Sequence, residues 1–161
     1  MSELLTTEQI EHFRRKADAL EHPQELVIDL LRAVQDSNGW VPDAGVELVA
    51  DIIGVPSIQV EEVATFYDKI FRQPVGKKVI FICDSICCWS TGSEELAEAL
   101  QQKLGVKFGG TSADGMFTLL PSCCLGACGD ALAIMVGLKT YGRLTPEKLD
   151  AILTAEREEN Q

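Results

Sequence analysis

The sequence predicts an α/β protein in which an all-helical N-terminal region precedes a compact domain of strands and helices. Up to about residue 75, apolar side chains recur every three or four residues, which is the spacing of one helix face. From Lys78 onward, short β-branched and apolar runs alternate with helical stretches, which is typical of strands packed against helices. We therefore expect two domains, at residues 1–75 and 76–161.

Four helices are predicted in the first region, each bounded by residues that start or stop helices. The residue before Pro23 avoids the α region, so the first helix ends there, and Gly39 stops the second. Gly54 and Pro56 break the third, and Ser57 is expected to cap the fourth. The expected ranges are Glu8–Leu20, Pro23–Asn38, Asp43–Ile53 and Ile58–Tyr67.

The second region is predicted to have the order β-α-β, a cysteine-rich loop, then β-β-α. Thr91 begins a capping-box pattern, and Thr145 is expected to cap the last helix. The charged tail Glu156–Gln161 is expected to fray. The expected strands are Lys78–Ile82, Met116–Leu120, Ala131–Val136 and a short one within Leu138–Leu144, and the expected helices are Gly92–Leu104 and Thr145–Thr154.

The net charge of −11 argues against nucleic acid and against anionic lipid, since both require a basic face. The charge is uneven: residues 1–75 carry a net −8 and residues 76–161 a net −3. Two interpretations stay open, a solvated acidic surface and an acidic face for a basic partner subunit. The absence of G-x-G-x-x-G and P-loop patterns argues against a nucleotide site in this chain.

The N-terminal residues lack the pattern of a secretory signal, and no run of roughly 18 apolar residues exists to span a membrane. We therefore expect an intracellular protein. Cysteines in that environment usually stay reduced, so clustered cysteines favour metal binding or catalysis over disulfides.

All six cysteines lie in two short segments, 83–88 and 123–128, each just after an apolar run. Four thiolates complete either a zinc site or a [2Fe–2S] site, which leaves two spare. In extended backbone, adjacent residues point to opposite sides, so one of each neighbouring pair turns away, and spacing does not say which. The possible pairs are Cys83 with Cys87 or Cys88, and Cys128 with Cys123 or Cys124.

The spacing favours a [2Fe–2S] cluster over zinc. Structural zinc sites favour two close knuckles, whereas the pairs here are wider and dissimilar. A dinuclear cluster accepts wider pairs, and glycines such as Gly126 let backbone amides approach the sulfurs. A dithiol redox centre is disfavoured because the C-x-x-C spacing is absent.

Several longer segments match a known family. They are Gly39-Trp40-Val41-Pro42, Val63-Ala64-Thr65-Phe66-Tyr67, Phe71-Arg72-Gln73-Pro74-Val75-Gly76, Asp114-Gly115, Phe117-Thr118-Leu119-Leu120-Pro121 and Cys123-Cys124-Leu125-Gly126. Through these segments the sequence resembles the NuoE family, the small [2Fe–2S] subunits of NADH:quinone oxidoreductase (respiratory complex I). The resemblance covers most of the chain and is more specific than cysteine spacing alone.

The resemblance implies a thioredoxin-like [2Fe–2S] ferredoxin domain after the helical region. The family's C-x4-C and C-x3-C pattern selects four ligands and leaves Cys87 and Cys123 as non-ligands. This chain departs from the pattern after Cys128, where the family's proline is missing, and residues 137–144 also look atypical. The implied cluster ligands are Cys83, Cys88, Cys124 and Cys128.

The implied function is electron transfer within the NADH-oxidising module of complex I. The resemblance places FMN and NADH on a partner flavoprotein subunit (NuoF-like), beside other peripheral-arm subunits, so no active site is complete in this chain. It also implies a cytoplasmic location, peripheral on the inner membrane. The alternatives are the equivalent subunit of an NAD-linked hydrogenase or formate dehydrogenase and, in a different class, a zinc-stabilised interaction module.

Four aromatic residues are candidates for a functional role beside the cysteines. Trp89 is either a shield for the cluster or an exposed aromatic, and Phe66, Tyr67 and Phe71 are candidates for contact with the flavoprotein. Both histidines, His12 and His22, are expected at the surface.

Overall fold

The computed structural model describes residues 4–159, which form seven α-helices and one four-stranded sheet. The chain divides into two units between Pro74 and Val75. The described part of the first unit is helical, and the second contains the sheet. Among these residues, no helix combines the length and apolar character that crossing a bilayer requires.

The first unit packs four helices around one apolar core. Its central helix is the second, because Leu30, Leu31 and Val34 are fully buried and lie in one cluster with Val49 and Val60. The near-continuous apolar sequence of that helix requires this placement. The four helices are α1 (Thr7–Ala19), α2 (Val27–Asn38), α3 (Asp43–Ile53) and α4 (Ser57–Phe66).

The predicted helix boundaries hold where glycine ends a helix and shift where proline begins one. Gly39 and Gly54 follow α2 and α3 with φ of +82° and +71°, a backbone conformation that suits glycine. Pro23 opens a 3-10 turn, Pro23–Leu26, so the α-helix starts four residues later than predicted. The prediction that Ser57 caps α4 was wrong, because extended Pro56 takes the N-cap position.

The segment after α4 is tied back onto the first unit. The side chain of Gln35 donates to Lys69 O at 2.9 Å and accepts from Phe71 N–H at 2.6 Å. Arg72 forms ion pairs with Asp43 and Glu61 at 2.7 Å and 2.9 Å. The two Gln35 hydrogen bonds satisfy backbone groups of the irregular segment after α4, and the ion pairs of Arg72 hold the same segment through its side chain.

The sheet of the second unit is mixed and contains four strands, β1 (Lys78–Cys83), β2 (Phe117–Ser122), β3 (Ile134–Val136) and β4 (Lys139–Tyr141). Their order in the sheet is β2-β1-β3-β4. β1 pairs with β2 in parallel, and the β1–β3 and β3–β4 pairs are antiparallel. A parallel pair requires a crossover, and the longest helix of this unit supplies it. The helices of this unit are α5 (Ile86–Trp89), α6 (Ser93–Leu104), which is the crossover, and α7 (Leu149–Glu158).

Side chains on the two faces of β1 belong to two different buried clusters. Ile80 and Ile82 lie in the core that leucines of α6 and α7 complete. Because side chains alternate along a strand, Cys83 points to the other face, where it joins Cys88 and Ala133 in a separate buried cluster. The sheet therefore separates the main core from the first cysteine segment.

Four details of the second region differ from the predictions. The short helix α5 was not predicted, and the third strand begins at Ile134 rather than at Ala131. The capping box at Thr91 does not form: its hydroxyl donates to Cys87 O at 2.7 Å, and Gly92 occupies the N-cap position with φ +103°. Thr145 is followed by a 3-10 turn, Pro146–Lys148, before α7 begins.

The predicted frayed tail is instead helical through Glu158 and includes a buried charge. Glu156 is 1% exposed, accepts hydrogen bonds from Lys78 Nζ and Tyr141 Oη, and lies 3.7 Å from Lys139 Nζ. The prediction failed because the helix continues past Thr154 and because Glu156 has hydrogen-bond partners on the sheet. The last two tail residues, 160 and 161, lie outside the described part.

Replacing Glu156 with glutamine is expected to destabilise the second unit. The substitution removes the buried carboxylate closest to the ammonium of Lys78 and leaves it only Glu159, at 3.5 Å. The expected cost is about 2–3 kcal/mol, below the range for a fully buried pair because Lys78 is partly exposed and keeps this second partner. Urea unfolding of the purified variant measures the loss. Glu158→Gln, which removes the same charge from an exposed position of the same helix, should unfold like the parent chain.

The pH dependence of the stability difference between the parent chain and Glu156→Gln shows whether the charged carboxylate causes it. Burial alone would favour the neutral acid, but the hydrogen bonds from Lys78 and Tyr141 hold the pKa of Glu156 below its ordinary value of 4.5. The carboxylate's contribution is therefore complete above that value and is lost as the pH falls through the lowered pKa. A stability difference between parent and Glu156→Gln that persists undiminished in acid would contradict this account.

Candidate metal centre

The two cysteine segments meet because β1 and β2 end side by side. Cys83, the last residue of β1, pairs with Ser122, the last residue of β2. The next backbone bond of the pair runs from Asp84 N–H to Ser122 O at 3.1 Å. Both segments therefore leave the same edge of the sheet, although about 40 residues separate them in the sequence.

The first segment turns back on itself through α5. Cys83 and Cys88 are 3% and 2% exposed and pack in one buried cluster. Cys87 is exposed on the outer side of the turn. As predicted, the neighbours Cys87 and Cys88 point to different sides. The prediction assumed an extended backbone, whereas both residues lie in the helix α5, where successive side chains point in different directions around the helix axis.

The second segment forms an exposed pair. Cys124 Sγ lies 3.4 Å from Cys128 Sγ and accepts a hydrogen bond from Gly126 N–H at 3.4 Å. Gly126 has φ +77°, so the tight turn that aims its amide at the sulfur suits a glycine. Cys123 is also exposed.

The local environment shifts the pKa values of the cysteine thiols in different directions. The hydrogen bond from Gly126 and that from Cys128 lower the pKa of Cys124, whereas the contact with Cys124 raises the pKa of Cys128 to about 11. Burial and the contact with Cys83 raise the pKa of Cys88. In the metal-free chain, Cys124 is therefore the more readily ionised member of the exposed pair.

The two pairs also affect each other's ionisation. Besides burial and Cys83, Cys124 raises the pKa of Cys88, and besides Cys124, Cys87 raises the pKa of Cys128. Within residues 4–159, no three metal-binding side chains are arranged to hold a single ion. The donors nonetheless fit a soft metal group, because two thiol pairs lie at one edge of the sheet and the Gly126 amide is directed at the Cys124 sulfur.

Sequence reasoning missed Ala133. Its carbonyl accepts from Cys83 N–H at 3.2 Å, and it packs with Cys83 and Cys88 in one buried cluster. An alanine carries no chemical signal, and only its position just before β3, beside β1, marks it as a neighbour of the first cysteine.

The predicted accessory residues differ in exposure. Trp89 is the last residue of α5 and does not lie in a loop. It is 55% exposed, and its indole N–H donates to Glu94 at 3.3 Å. Phe66 and Tyr67 are 80% and 43% exposed, whereas Phe71 is half-buried. His12 and His22 are exposed, as predicted.

Known proteins resemble this chain over nearly its full length. Residues 11–157 match the family described as thioredoxin-like [2Fe-2S] ferredoxin. The E subunit of NADH-quinone oxidoreductase from Escherichia coli (strain K12) is 44% identical over 154 residues, which cover 91% of this chain and 93% of the relative. Its counterpart from Pseudomonas aeruginosa is 44% identical over 135 residues, which cover 84% and 81%.

A solved structure extends the likeness to the fold. An NAD+-reducing [NiFe]-hydrogenase in the air-oxidized state superposes with a TM-score of 0.67 at 19% identity, covering 81% of this chain and 23% of that one. At this identity the likeness shows the fold alone. The chain therefore belongs to the thioredoxin-like [2Fe-2S] ferredoxin family and, within it, to the NuoE family of NADH-quinone oxidoreductase E subunits.

Proposed function

We propose that Cys83, Cys88, Cys124 and Cys128 together hold one [2Fe–2S] cluster and that the chain serves as an electron-transfer subunit. The observation that carries the proposal is the convergence of two thiol pairs at one edge of a sheet in a chain of this family. A bound cluster supplies one-electron chemistry at iron. The chain's own part is to hold the four sulfurs, to limit access of water and to direct amides at the sulfurs.

The burial of the thiols supports this choice of four. Cys88 is buried against Cys83, whereas its neighbour Cys87 is exposed. Cys124 contacts Cys128 and receives the Gly126 amide. Cys87 also raises the pKa of Cys128, so burial is the observation that favours Cys88 over Cys87.

The partner we propose is the FMN- and NADH-binding flavoprotein subunit (NuoF-like) of the NADH-oxidising module of complex I, together with other peripheral-arm subunits. The E subunits to which this chain is similar belong to NADH-quinone oxidoreductase. A complex of this kind would hold the chain on the cytoplasmic side of the inner membrane. Identity of 44% to these subunits favours this parent complex over a hydrogenase, where the likeness is one of fold at 19% identity.

The surface that supports this partnership lies on α4. Val60 and Ala64 are buried, while Ile58 and Phe66 on the opposite side are 63% and 80% exposed. A helix that is apolar on both sides has one face for the core and one for another surface. Residues 1–75, which include this face, carry a net −8, so we expect a partner surface with an apolar centre and basic surroundings.

The first prediction concerns the ligands. In anaerobically purified, dithionite-reduced protein we expect an S = 1/2 EPR signal with equal iron and sulfide. Cys124→Ser should reduce or abolish cluster incorporation, because a hydroxyl is a poor ligand for iron in such a cluster. Cys123→Ser is the matched control, since it changes the adjacent exposed thiol, and it should leave the signal normal.

Two results would overturn this assignment. The reverse pattern, with Cys123→Ser losing the cluster, would exchange the ligands. A sample that contains zinc and no acid-labile sulfide, even after anaerobic reconstitution, would replace the electron-transfer function with the zinc-stabilised interaction module.

A second prediction concerns the partner surface. Phe66→Ser combined with Tyr67→Ser is expected to weaken pull-down of the flavoprotein subunit at least tenfold, because exposed aromatics of this kind contribute about 2 kcal/mol each where they anchor an interface. Phe71 is left unchanged, since its half-buried position makes a folding defect hard to separate from a binding defect. Leu138→Ser, at a residue 89% exposed elsewhere in the chain, serves as the control and should bind normally.

A further inference from the structure

The loop that follows Cys128 is held from outside by the residues that follow β4. Arg143 N–H donates to Asp130 O at 2.6 Å, and Leu144 N–H donates to Leu132 O at 3.1 Å. The guanidinium of Arg143 adds an ion pair, with Nε 2.7 Å from Asp130 Oδ1. We refer to residues 128–133 as the cysteine loop and to residues 142–144 as the clasp.

The clasp fits the cysteine loop so closely that residue 142 has no room for a side chain. A Cβ atom at Gly142 would lie 2.6 Å from Asp130 Cβ and 2.8 Å from Asp130 O, both shorter than real contacts. Gly142 is not among the glycines with positive φ, so the position requires space rather than conformational freedom. Arg143, by contrast, adopts φ +51°, a conformation that non-glycine residues use rarely and that the surrounding contacts must maintain.

The clasp itself is fixed to the body of the second unit. Leu144 is 5% exposed and lies in the main core, and Tyr141, just before the clasp, donates to buried Glu156. Lys148 Nζ donates to Arg143 O at 2.7 Å. The clasp is therefore a rigid support against which the cysteine loop rests.

The cysteine loop connects the exposed and the buried thiols. It begins at Cys128, which contacts Cys124. It ends at Ala133, whose carbonyl accepts from Cys83 N–H and which packs with Cys83 and Cys88 in one buried cluster. A displacement of this loop would therefore move the Cys128 sulfur and the residue that packs against the buried pair together.

We propose that Gly142 and Arg143 are positioning residues for the iron–sulfur site. The clasp fixes the cysteine loop, so that the Cys128 sulfur and the Ala133 backbone keep their places relative to the buried pair. The inference rests on the proposed ligand set. Since hydrogen bonds to the sulfurs and the placement of the ligands tune such a centre, the clasp sets its spectroscopic and redox properties from outside the cysteine segments.

The test compares two alanine substitutions in the full chain. Gly142→Ala pushes on the cysteine loop, whereas Gly137→Ala, at φ +58° with open space around it, strains the neighbouring β3–β4 turn without reaching the loop. Both variants are expected to unfold at lower urea concentration than the parent. Gly142→Ala alone should shift the EPR g-values and the midpoint potential and should lose iron to a chelator severalfold faster.

The proposal is overturned if Gly142→Ala keeps the parent's g-values and potential, or if Gly137→Ala shifts them equally. Should Gly142→Ala fail to fold, Asp130→Gly takes its place: it removes the exposed ion pair and frees the loop backbone, and an unchanged EPR signal there overturns the proposal as well. A parent chain without iron, sulfide and an EPR signal would instead contradict the proposed function.

Discussion

The parallel pairing of β1 with β2 is the constraint on which the site depends. Cys83 and Ser122 end their strands opposite each other, so two cysteine segments far apart in the sequence emerge at the same edge. A slip of one residue would turn Cys83 to the face occupied by Ile80 and Ile82. The register is protected because both faces of β1 are buried, so a slip would move the apolar side chains of the strand out of their clusters.

The same strand also explains why a carboxylate is buried in the second unit. Lys78 shares the helix-covered face of β1 with the core isoleucines, and its ammonium needs a partner there. Glu156 of α7 supplies that partner, with Tyr141 of β4 as a second donor to the carboxylate. One polar cluster thus links the first strand, the last strand and the last helix, and the last strand leads directly into the residues that hold the cysteine loop.

The sequence predicted most of the fold because its signals are local. Gly39, Gly54 and the β-branched run of β1 determine helix ends and a strand without reference to the rest of the chain. The errors arose where a distant partner decides the outcome. Thr91 turns its hydroxyl to carbonyls of a helix that the sequence does not reveal, and Glu156 belongs to a buried cluster rather than a free tail. The site shows the same division. Spacing located both cysteine segments, but the family resemblance was needed to choose among the thiols. The sequence gives no sign of Ala133 and Gly142, because the first acts through its backbone carbonyl and the second through the absence of a side chain.

The unequal burial of the two thiol pairs has a consequence for the chemical durability of the chain. Cys83 and Cys88 are shielded, whereas Cys124 is exposed and its lowered pKa favours the thiolate, the form that peroxides attack. In the metal-free chain, Cys124 is therefore the member of the exposed pair that is more open to oxidation. Because Cys128 Sγ lies 3.4 Å away, a sulfenic acid formed at Cys124 can condense with the Cys128 thiol to a disulfide and release water, and reduction of that disulfide restores both thiols. Further oxidation of the sulfenic acid to sulfinic acid is irreversible in the absence of a dedicated repair enzyme.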